Sequence, residues 1–214
     1  MEFNNSILWI GGSPDSGKST IARYIVQKYN LSYYDYDGNE DRHHEEISAH
    51  SVGVEEILSS TMEDNWVYIT PDELLHRANA SFRGRFPMVV RDLSAMNADN
   101  PILAEGFGLT PQLVAPFLGN SNQAIWLVSD GHFKMTSAKK RRKLSGEFKT
   151  SDMENAALEN LHKRDMLIDA QIREEANQLG LEVIEVKSSV PFEVAVKLVE
   201  KHFDEYLTCW RRHS

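Results

Sequence analysis

Residues 12–19 read GSPDSGKS, which fills the pattern G-x-x-x-x-G-K-[ST] at every position. The preceding run, residues 6–10, is short and apolar and predicts a buried strand. The following run, residues 20–29, carries apolar side chains at positions 21, 22, 25 and 26, which lie on one face of a helix. A glycine-rich loop between a strand and a helix is the context in which this pattern binds phosphate.

The chemistry of this loop follows from its backbone. The N-terminus of a helix has unpaired N–H groups and a partial positive charge, so it attracts a phosphate chain. We expect Lys18 to reach the β- and γ-phosphates of a nucleotide and to take part in catalysis, and the Ser19 hydroxyl to ligate Mg²⁺. The predicted nucleotide-binding residues are Gly12, Ser13, Pro14, Asp15, Ser16, Gly17, Lys18, Ser19 and Thr20.

Length and charge narrow the class of protein. The 214 residues fit a single domain over 1–214 with a sizeable core. A net charge of −9 argues against a nucleic-acid partner, which requires a broad positive surface. The sequence has no apolar run of the ~20 residues that cross a bilayer and no secretion signal at its start, so we expect a cytoplasmic protein without a membrane partner. The single Cys209 predicts neither an internal disulfide nor a zinc site.

The rest of the chain alternates apolar strands with helical segments. Further strands are predicted near residues 31–35, 101–106, 124–128 and 181–186. Helices are predicted near 52–63, 71–82, 85–97 and 151–179, and from Pro191 to about 206. This alternation predicts an α/β, three-layer fold with a five-stranded, mostly parallel sheet and helices on both faces. Residues 40–98 form a helical insertion within that one domain. Its adjacent His43 and His44 point about 100° apart, which favours a solvated helix face over a metal site.

Carboxylates follow the second and third predicted strands, at the sheet edge where ligands bind in such folds. Asp35 and Asp37 follow the second strand, and a carboxylate there can orient an acceptor hydroxyl and take its proton. Alternatively, one of the two merely caps the turn before Gly38. Glu105 ends the third strand, where it could hold a water on Mg²⁺ or bind the acceptor, or have only a structural role.

The order of these parts resembles the small P-loop kinases, among them shikimate kinase, gluconate kinase, nucleoside monophosphate kinases and antibiotic phosphotransferases. The stretch YDYD, residues 34–37, is similar to the Asp-x-Asp of shikimate and gluconate kinases. That resemblance implies that Asp35 supports the metal and Asp37 contacts the acceptor, although the assignment between them stays open. The guanine-reading Asn-Lys-x-Asp of GTPases does not occur, but the choice between ATP and GTP is otherwise undetermined.

Basic residues on the acceptor side and after the fourth strand complete the predicted site. The resemblance implies a lid over 135–150, whose basic run includes Arg141 and Arg142, the candidates for stabilising the transferred phosphate. The run could instead be a solvated helix face or resemble a nuclear-import signal. The resemblance also implies that Arg164 faces the acceptor or the γ-phosphate, with an exposed ion pair as the alternative. Arg91, in the insertion, could bind an anionic acceptor.

The sequence therefore predicts an ATP-dependent small-molecule kinase that uses Mg²⁺ and transfers the γ-phosphate to a hydroxyl or phosphate. Its acceptor site would contain Asp37, Arg91, Glu105 and Arg164. The alternative is a nucleotide-binding regulator, or a toxin-like ATPase or phosphotransferase, that acts on a macromolecular partner. We expect a monomer or a homodimer, and the sequence does not identify the acceptor.

Overall fold

A single parallel sheet forms the centre of the molecule. The computed structural model of the chain describes residues 7–50, 61–96, 100–129, 148–187 and 189–211. The strands of the sheet are β1 (Ile7–Gly12), β2 (Ser32–Asp35), β3 (Ile102–Glu105), β4 (Ala124–Ser129) and β5 (Glu182–Val186). Their order is β2-β3-β1-β4-β5, and each neighbouring pair is parallel. The predicted five-stranded α/β sheet is confirmed, and it is parallel throughout.

Helices cover both faces of this sheet. In the described part of the chain they are α1 (Lys18–Tyr29), α2 (Glu40–His50), α3 (Met62–Trp66), α4 (Pro71–Ala95), α5 (Pro111–Val114), α6 (Ser151–Leu179), α7 (Phe192–His202) and α8 (Asp204–Arg211). The long helix α6 has the predicted limits. The Thr150 hydroxyl accepts a hydrogen bond from the Met153 N–H at its start, and Gly180, with φ 65°, ends it in the left-handed conformation.

Two apolar clusters make the structure three-layered. On one face, Trp9 and Trp126 pack with Ile172 of α6 and with residues of α4. On the other face, Ile10 packs with Ile25 of α1 and with residues of α7 and α8. All residues of β1 and β4 are buried, as expected for central strands of a parallel sheet that is covered on both sides.

Helix α4 differs from its sequence prediction. Helices over 71–82 and 85–97 were expected, but one helix runs through both segments and contains Pro87. A proline inside a helix costs about 3 kcal/mol. Phe82 and Phe86 before the proline and Val89 and Leu93 after it are all buried in the same cluster. Burial of each such side chain contributes about 1.5–3 kcal/mol, so packing outweighs the cost of Pro87.

The C-terminal helix was also predicted as one piece and is interrupted. Helix α7 ends at His202, the buried Phe203 leaves the helical conformation with ψ 7°, and α8 begins at Asp204. Both helices cover the α1 face, with Val199, Phe203 and Leu207 in its apolar cluster. The break therefore separates two short helices that both contribute buried side chains to the same apolar cluster.

The insertion packs on the α6 side of the sheet. Helices α3 and α4 both contact α6, where the Asn160 amide nitrogen donates to the carbonyls of Trp66, Val67 and Ile69. The helix predicted over 52–63 lies mostly outside the described residues. So does the predicted lid except for residues 148–150, and Arg141 and Arg142 with it. None of the helices in the described ranges has both the length and the apolar character that crossing a membrane requires.

Candidate active site

The phosphate-loop sequence forms the connection from β1 to α1. Gly12 has φ 133°, and a Cβ there would lie 2.0 Å from the Leu127 carbonyl oxygen, so glycine is required at the contact with β4. Gly17 has φ 81° and directly precedes α1, which starts at Lys18. Ser13 and Ser16 are buried, and neither hydroxyl has a hydrogen-bond partner among the described residues. The loop thus leads from the sheet to a helix N-terminus and contains two buried hydroxyls that have no hydrogen-bond partner in the described structure.

Glu105, at the end of β3, is the buried carboxylate of the site. Its Oε1 accepts a hydrogen bond from the Ser19 hydroxyl at 3.1 Å and lies 3.7 Å from Lys18 Nζ. Its Oε2 accepts a hydrogen bond from the Tyr33 hydroxyl at 3.0 Å. Burial raises the pKa of Glu105, and the nearby Lys18 charge opposes that rise. Glu105 therefore joins the loop lysine, the loop serine and strand β2.

Asp37 lies on the other side of Lys18. Its Oδ2 is 3.9 Å from Lys18 Nζ, and its carboxylate accepts a hydrogen bond from the Phe107 N–H at 3.1 Å. Its side chain is 41 % exposed, and the surrounding protein removes part of the hydration of the carboxylate. This burial raises the pKa of Asp37, and the Lys18 charge opposes the rise. Asp37 is therefore an accessible carboxylate beside the loop lysine.

Asp35 makes a different set of contacts. Its Oδ1 accepts a hydrogen bond from the Gly38 N–H at 2.9 Å, and its Oδ2 lies 3.7 Å from Arg23 Nη2. These are the contacts of the turn cap that the sequence allowed for one of the two aspartates. The carboxylate that contacts Ser19 is Glu105. In the described part of the chain Asp35 makes no hydrogen bond or ion pair with Ser19 or Lys18, whereas Asp37 approaches Lys18.

Arg164 of α6 lies behind Phe107. Its Nε donates to Asp165 Oδ1 at 3.0 Å, and its guanidinium carbon is 5.5 Å from the centre of the Phe107 ring. Arg164 therefore does form the ion pair with a helical neighbour that the alternative described, but the pair is buried and not exposed, since the Arg164 side chain is only 12 % exposed. Phe107 therefore lies between Arg164 and Asp37, because its ring contacts the Arg164 guanidinium and its backbone N–H donates to the Asp37 carboxylate.

Arg91 lies in an ion cluster of the insertion, apart from Lys18. Its guanidinium pairs with Glu46 of α2 and with Asp92. Asp92 also pairs with Arg42 and with His43, whose side chain is fully buried. The prediction of a solvated histidine face is therefore wrong for His43. These contacts fasten α2 to α4 and give no support to Arg91 as an acceptor ligand.

Sequence reasoning missed the two residues that hold the carboxylates in place. Tyr33 stands two positions before Asp35, and the two-residue period of a strand gives both the same face. The two-residue period of β2 could therefore have shown that Tyr33 faces the same side of the sheet as Asp35, near the carboxylate of Glu105 on the neighbouring strand. Phe107 contributes its backbone N–H to Asp37, and no sequence pattern reports such a contact.

The sheet order and the loop after its central strand confirm the predicted three-layer P-loop fold. No protein-family model matches the chain, and no curated protein is significantly similar to it. Among solved structures, the chain is similar to a shikimate kinase from Acinetobacter baumannii in complex with shikimate, with 16% identity, a TM-score of 0.48, and coverage of 94% of this chain and 95% of that one.

Two further solved structures show a likeness of the same degree. One is a gluconokinase from Sinorhizobium meliloti 1021, with 15% identity, a TM-score of 0.42 and coverage of 100% of this chain and 99% of that one. The other is a shikimate kinase from Bacteroides thetaiotaomicron, with 13% identity, a TM-score of 0.45 and coverage of 92% and 98%. The predicted resemblance to shikimate and gluconate kinases is confirmed as a likeness of fold.

Proposed function

We propose that this protein is an ATP-dependent phosphotransferase that uses Mg²⁺ and transfers the γ-phosphate to a hydroxyl or phosphate of a small molecule. One observation carries the proposal: Lys18 of the phosphate loop lies within 4 Å of two carboxylates, Asp37 and Glu105, which come from different strand ends. Nucleotide binding alone gives no reason for two carboxylates beside the loop lysine, whereas a phosphotransferase can use one on the metal side and one to orient the acceptor hydroxyl.

The loop supplies the nucleotide site in this proposal. The N–H groups at the start of α1 and the Lys18 ammonium bind the β- and γ-phosphates. Buried hydroxyls without partners are unfavourable, and phosphate oxygens at the loop would give Ser13 and Ser16 hydrogen-bond acceptors.

The residues present also fit the expected metal ion. Mg²⁺ prefers oxygen ligands and is usually held by one or two carboxylates together with substrate phosphates. The Ser19 hydroxyl and Glu105 Oε1, 3.1 Å apart, supply one ligand oxygen and one carboxylate on the phosphate side of the site. When bound there, Mg²⁺ would neutralise charge on the phosphate oxygens.

Asp37 acts on the acceptor. The hydroxyl oxygen forms a bond to the γ-phosphorus, the bond from that phosphorus to the β–γ bridging oxygen breaks, and ADP leaves. Asp37 takes the proton of the attacking hydroxyl. A raised pKa suits this carboxylate to its role, since a base works best when its pKa approaches the working pH. Arg141 or Arg142 of the predicted lid would neutralise the transferred phosphate, and that part of the proposal rests on the sequence alone.

The test measures ADP release from Mg-ATP with and without pools of sugars, hydroxy acids, nucleosides, nucleotides and aminoglycosides. We expect one pool to raise turnover in the wild type, and Asp37→Asn to remove that increase while ATP affinity stays near normal. Lys18→Ala provides the blank, because it impairs phosphate binding in any version of the site. Persistent ADP release that no pool stimulates would reject a small-molecule acceptor and favour a macromolecular one.

A further inference from the structure

A fully buried histidine, His43, lies between helices α2 and α4. Its Nε2 is 3.0 Å from Asp92 Oδ2, and its Nδ1 is 3.5 Å from Nε of the buried Arg85. An ionised carboxylate only accepts hydrogen bonds, and a guanidinium only donates them. Both contacts are satisfied by one neutral tautomer of His43, in which Nε2 donates to Asp92 while Nδ1 accepts from Arg85.

The surroundings of His43 oppose a second proton on the ring. That proton would occupy Nδ1, which faces the Arg85 guanidinium, and Arg42 Nη2 lies 3.1 Å from the other ring nitrogen. Burial, together with these two guanidinium charges, lowers the pKa of His43 from its ordinary value of 6.5, against the attraction of Asp92. His43 is therefore neutral at neutral pH and titrates in the acid range below 6.5. The charged and titratable groups around the ring, or one contact beyond it, are Arg42 and Glu40 of α2, Arg85, Arg91 and Asp92 of α4, and Tyr34 of β2.

Arg85 joins His43 to the turn that carries Asp37. Its Nη2 donates to the Tyr36 carbonyl at 2.6 Å, and its guanidinium carbon lies 3.8 Å from the centre of the Tyr36 ring. Tyr36 is completely buried, and Asp37 follows it directly. Glu40, 3.4 Å from Arg85 Nη1, has a half-exposed side chain, so water weakens its hold on the guanidinium. The orientation of Arg85 therefore depends mainly on Tyr36 and on the neutral His43 ring.

Protonation of His43 is incompatible with this arrangement. The new N–H on Nδ1 would point at the Arg85 Nε–H, so a contact between a donor and an acceptor would become one between two donors. It would also place a second positive charge beside the guanidinium in a buried region, where solvent screens charges poorly. Asp92 attracts the protonated ring, but it lies at the other ring nitrogen. The imidazolium and the Arg85 guanidinium would consequently move apart.

We propose that His43 and Arg85 form an acid-sensitive latch on Asp37: the neutral imidazole holds Arg85 against Tyr36, and protonation of His43 releases Tyr36 and lets Asp37 leave its place beside Lys18. Phosphoryl transfer is then switched off in acid, while the loop before α1 still binds nucleotide. His43 and Arg85 are positioning residues, because both are buried and act on Asp37 only through Tyr36. This inference rests on the proposed function, since it assigns a regulation to the same site.

His43→Gln is the decisive variant, because glutamine can donate to Asp92 and stays neutral at every pH. His44→Gln is the matched control, since His44 is the next residue of α2, has a side chain that is 47 % exposed and pairs with Glu40. Acceptor-stimulated ADP release from Mg-ATP is measured for the full chain between about pH 8 and about pH 5, together with Mg-ADP affinity.

We expect the wild type and His44→Gln to lose turnover more steeply in acid than His43→Gln. The difference should grow by about tenfold for each pH unit below the pKa of His43, because one inactivating proton is absent from the variant. Mg-ADP affinity should be the same in all three chains at each pH. Equal acid limbs in the wild type and His43→Gln, or a loss of Mg-ADP binding in parallel with turnover, overturn the inference.

A second measurement needs no activity and separates this inference from the proposed function. The Phe107 N–H donates to Asp37, so its resonance in a chain labelled with ¹⁵N-phenylalanine reports the position of that side chain. Asp37→Asn is used as the background, because it removes the titration of Asp37 itself. We expect the Phe107 resonance to shift in the pH range in which the His43 ring resonance titrates.

The two measurements can fail independently. A Phe107 resonance that does not follow the His43 titration in Asp37→Asn rejects the latch, even if the protein is an active kinase and even if His43→Gln does not fold. If no acceptor pool stimulates ADP release, the small-molecule kinase is rejected, and the Phe107 resonance alone decides whether His43 controls the position of residue 37.

Discussion

At the scale of single residues, Glu105 links stability to function. A folded-state pKa above the ordinary value of 4.5 means that the folded chain holds this proton more tightly than the unfolded chain. The free energy of unfolding therefore falls as pH rises through the interval between these two pKa values, and it stays lower above it. Ionisation of Glu105 in the folded chain therefore lowers the free energy of unfolding.

Glu105→Gln tests this linkage. Glutamine keeps the shape and a hydrogen-bond acceptor but carries no charge, so we expect a higher melting temperature than that of the wild type at pH 7.5. The difference should shrink as pH falls toward 4.5 and vanish below it, where the wild-type carboxyl is also protonated. Thermal unfolding followed by circular dichroism across this range measures it. A variant that melts lower than the wild type at pH 7.5 would contradict the sign.

The two aspartates near β2 make a matched pair. Asparagine at position 35 can still accept the Gly38 N–H, so we expect Asp35→Asn to fold and to keep most of the acceptor-stimulated ADP release. Asparagine at position 37 cannot take a proton, and general-base catalysis contributes about 10²–10⁴-fold, so Asp37→Asn should lose activity on that scale. The rates are measured over a range of Mg²⁺ concentrations. A large rise in the Mg²⁺ requirement of Asp35→Asn would return the metal role to Asp35.

The sequence was sufficient to identify these carboxylates as candidates, but it could not show which contacts each of them makes. The position of Asp35 and Asp37 after an apolar strand was enough to place both at the ligand edge of the sheet. Which of them caps the turn depends on the path of the chain after Asp35, where a short 3₁₀ turn, Asp37–Asn39, brings the Gly38 N–H back to Asp35. The role of Glu105 depends on contacts with Ser19 and Tyr33, which are 86 and 72 residues away in sequence.

At the scale of elements, the loop after β3 fixes the turn that carries Asp37. A Cβ on Gly106 would lie 2.2 Å from the Tyr36 Cβ, so the two segments touch with no room for a methyl group. Tyr36 is completely buried, and the Arg85 guanidinium stacks 3.8 Å from the centre of its ring. Arg85 also donates to the Tyr36 carbonyl at 2.6 Å. Tyr36 is therefore clamped between β3 and α4, and Asp37 follows it directly.

Gly106→Ala should push Tyr36 out of this clamp. We expect a loss of stability of about 1–3 kcal/mol, typical of overpacking, and a larger loss of acceptor-stimulated turnover than of ATP affinity. Gly84→Ala in α4 is the control, since the nearest atom to its Cβ would be 3.7 Å away. That variant should gain up to about 1 kcal/mol from helix propensity. Urea unfolding and nucleotide titration measure both. If Gly106→Ala lowered turnover and ATP affinity by the same factor, the contact between Gly106 and Tyr36 would not be what positions Asp37.

The bounds of helices and strands could be predicted wherever the local sequence pattern and the burial of side chains favour the same structure. The apolar runs of the strands and the Gly180 cap of α6 were sufficient, because burial and backbone preference favour the same structure there. Pro87 and Phe203 show the limit. The proline is a local stop signal that a continuous apolar face overrides. Phe203 carries no local stop signal, yet α7 ends before it, and its side chain is buried in the same cluster as Val199 and Leu207.

At the scale of the whole molecule, the insertion shares a core with the sheet. Phe82, Phe86 and Val89 of α4 belong to the same apolar cluster as Trp9 and Trp126 of the central strands. A segment that separates from the domain would need a core of its own, and the contacts of α4 and α3 are instead directed at α6. The insertion and the sheet should consequently unfold together, as the single-domain prediction for 1–214 requires.

Two probes of unfolding test that cooperativity. Trp66 reports on the insertion, and its signal is isolated as the difference between the fluorescence of the wild type and of Trp66→Phe. Far-ultraviolet circular dichroism reports on the whole domain. We expect the two urea curves to coincide, and saturating Mg-ADP at a hundred times its dissociation constant to shift both by about 2.7 kcal/mol. In Lys18→Ala the two urea curves should still coincide, but Mg-ADP should not shift them. If the Trp66 signal changed at a lower urea concentration than the circular dichroism and did not respond to the nucleotide, the insertion would be an independently unfolding unit, and the shared core of α4 and the sheet would not make the two unfold together.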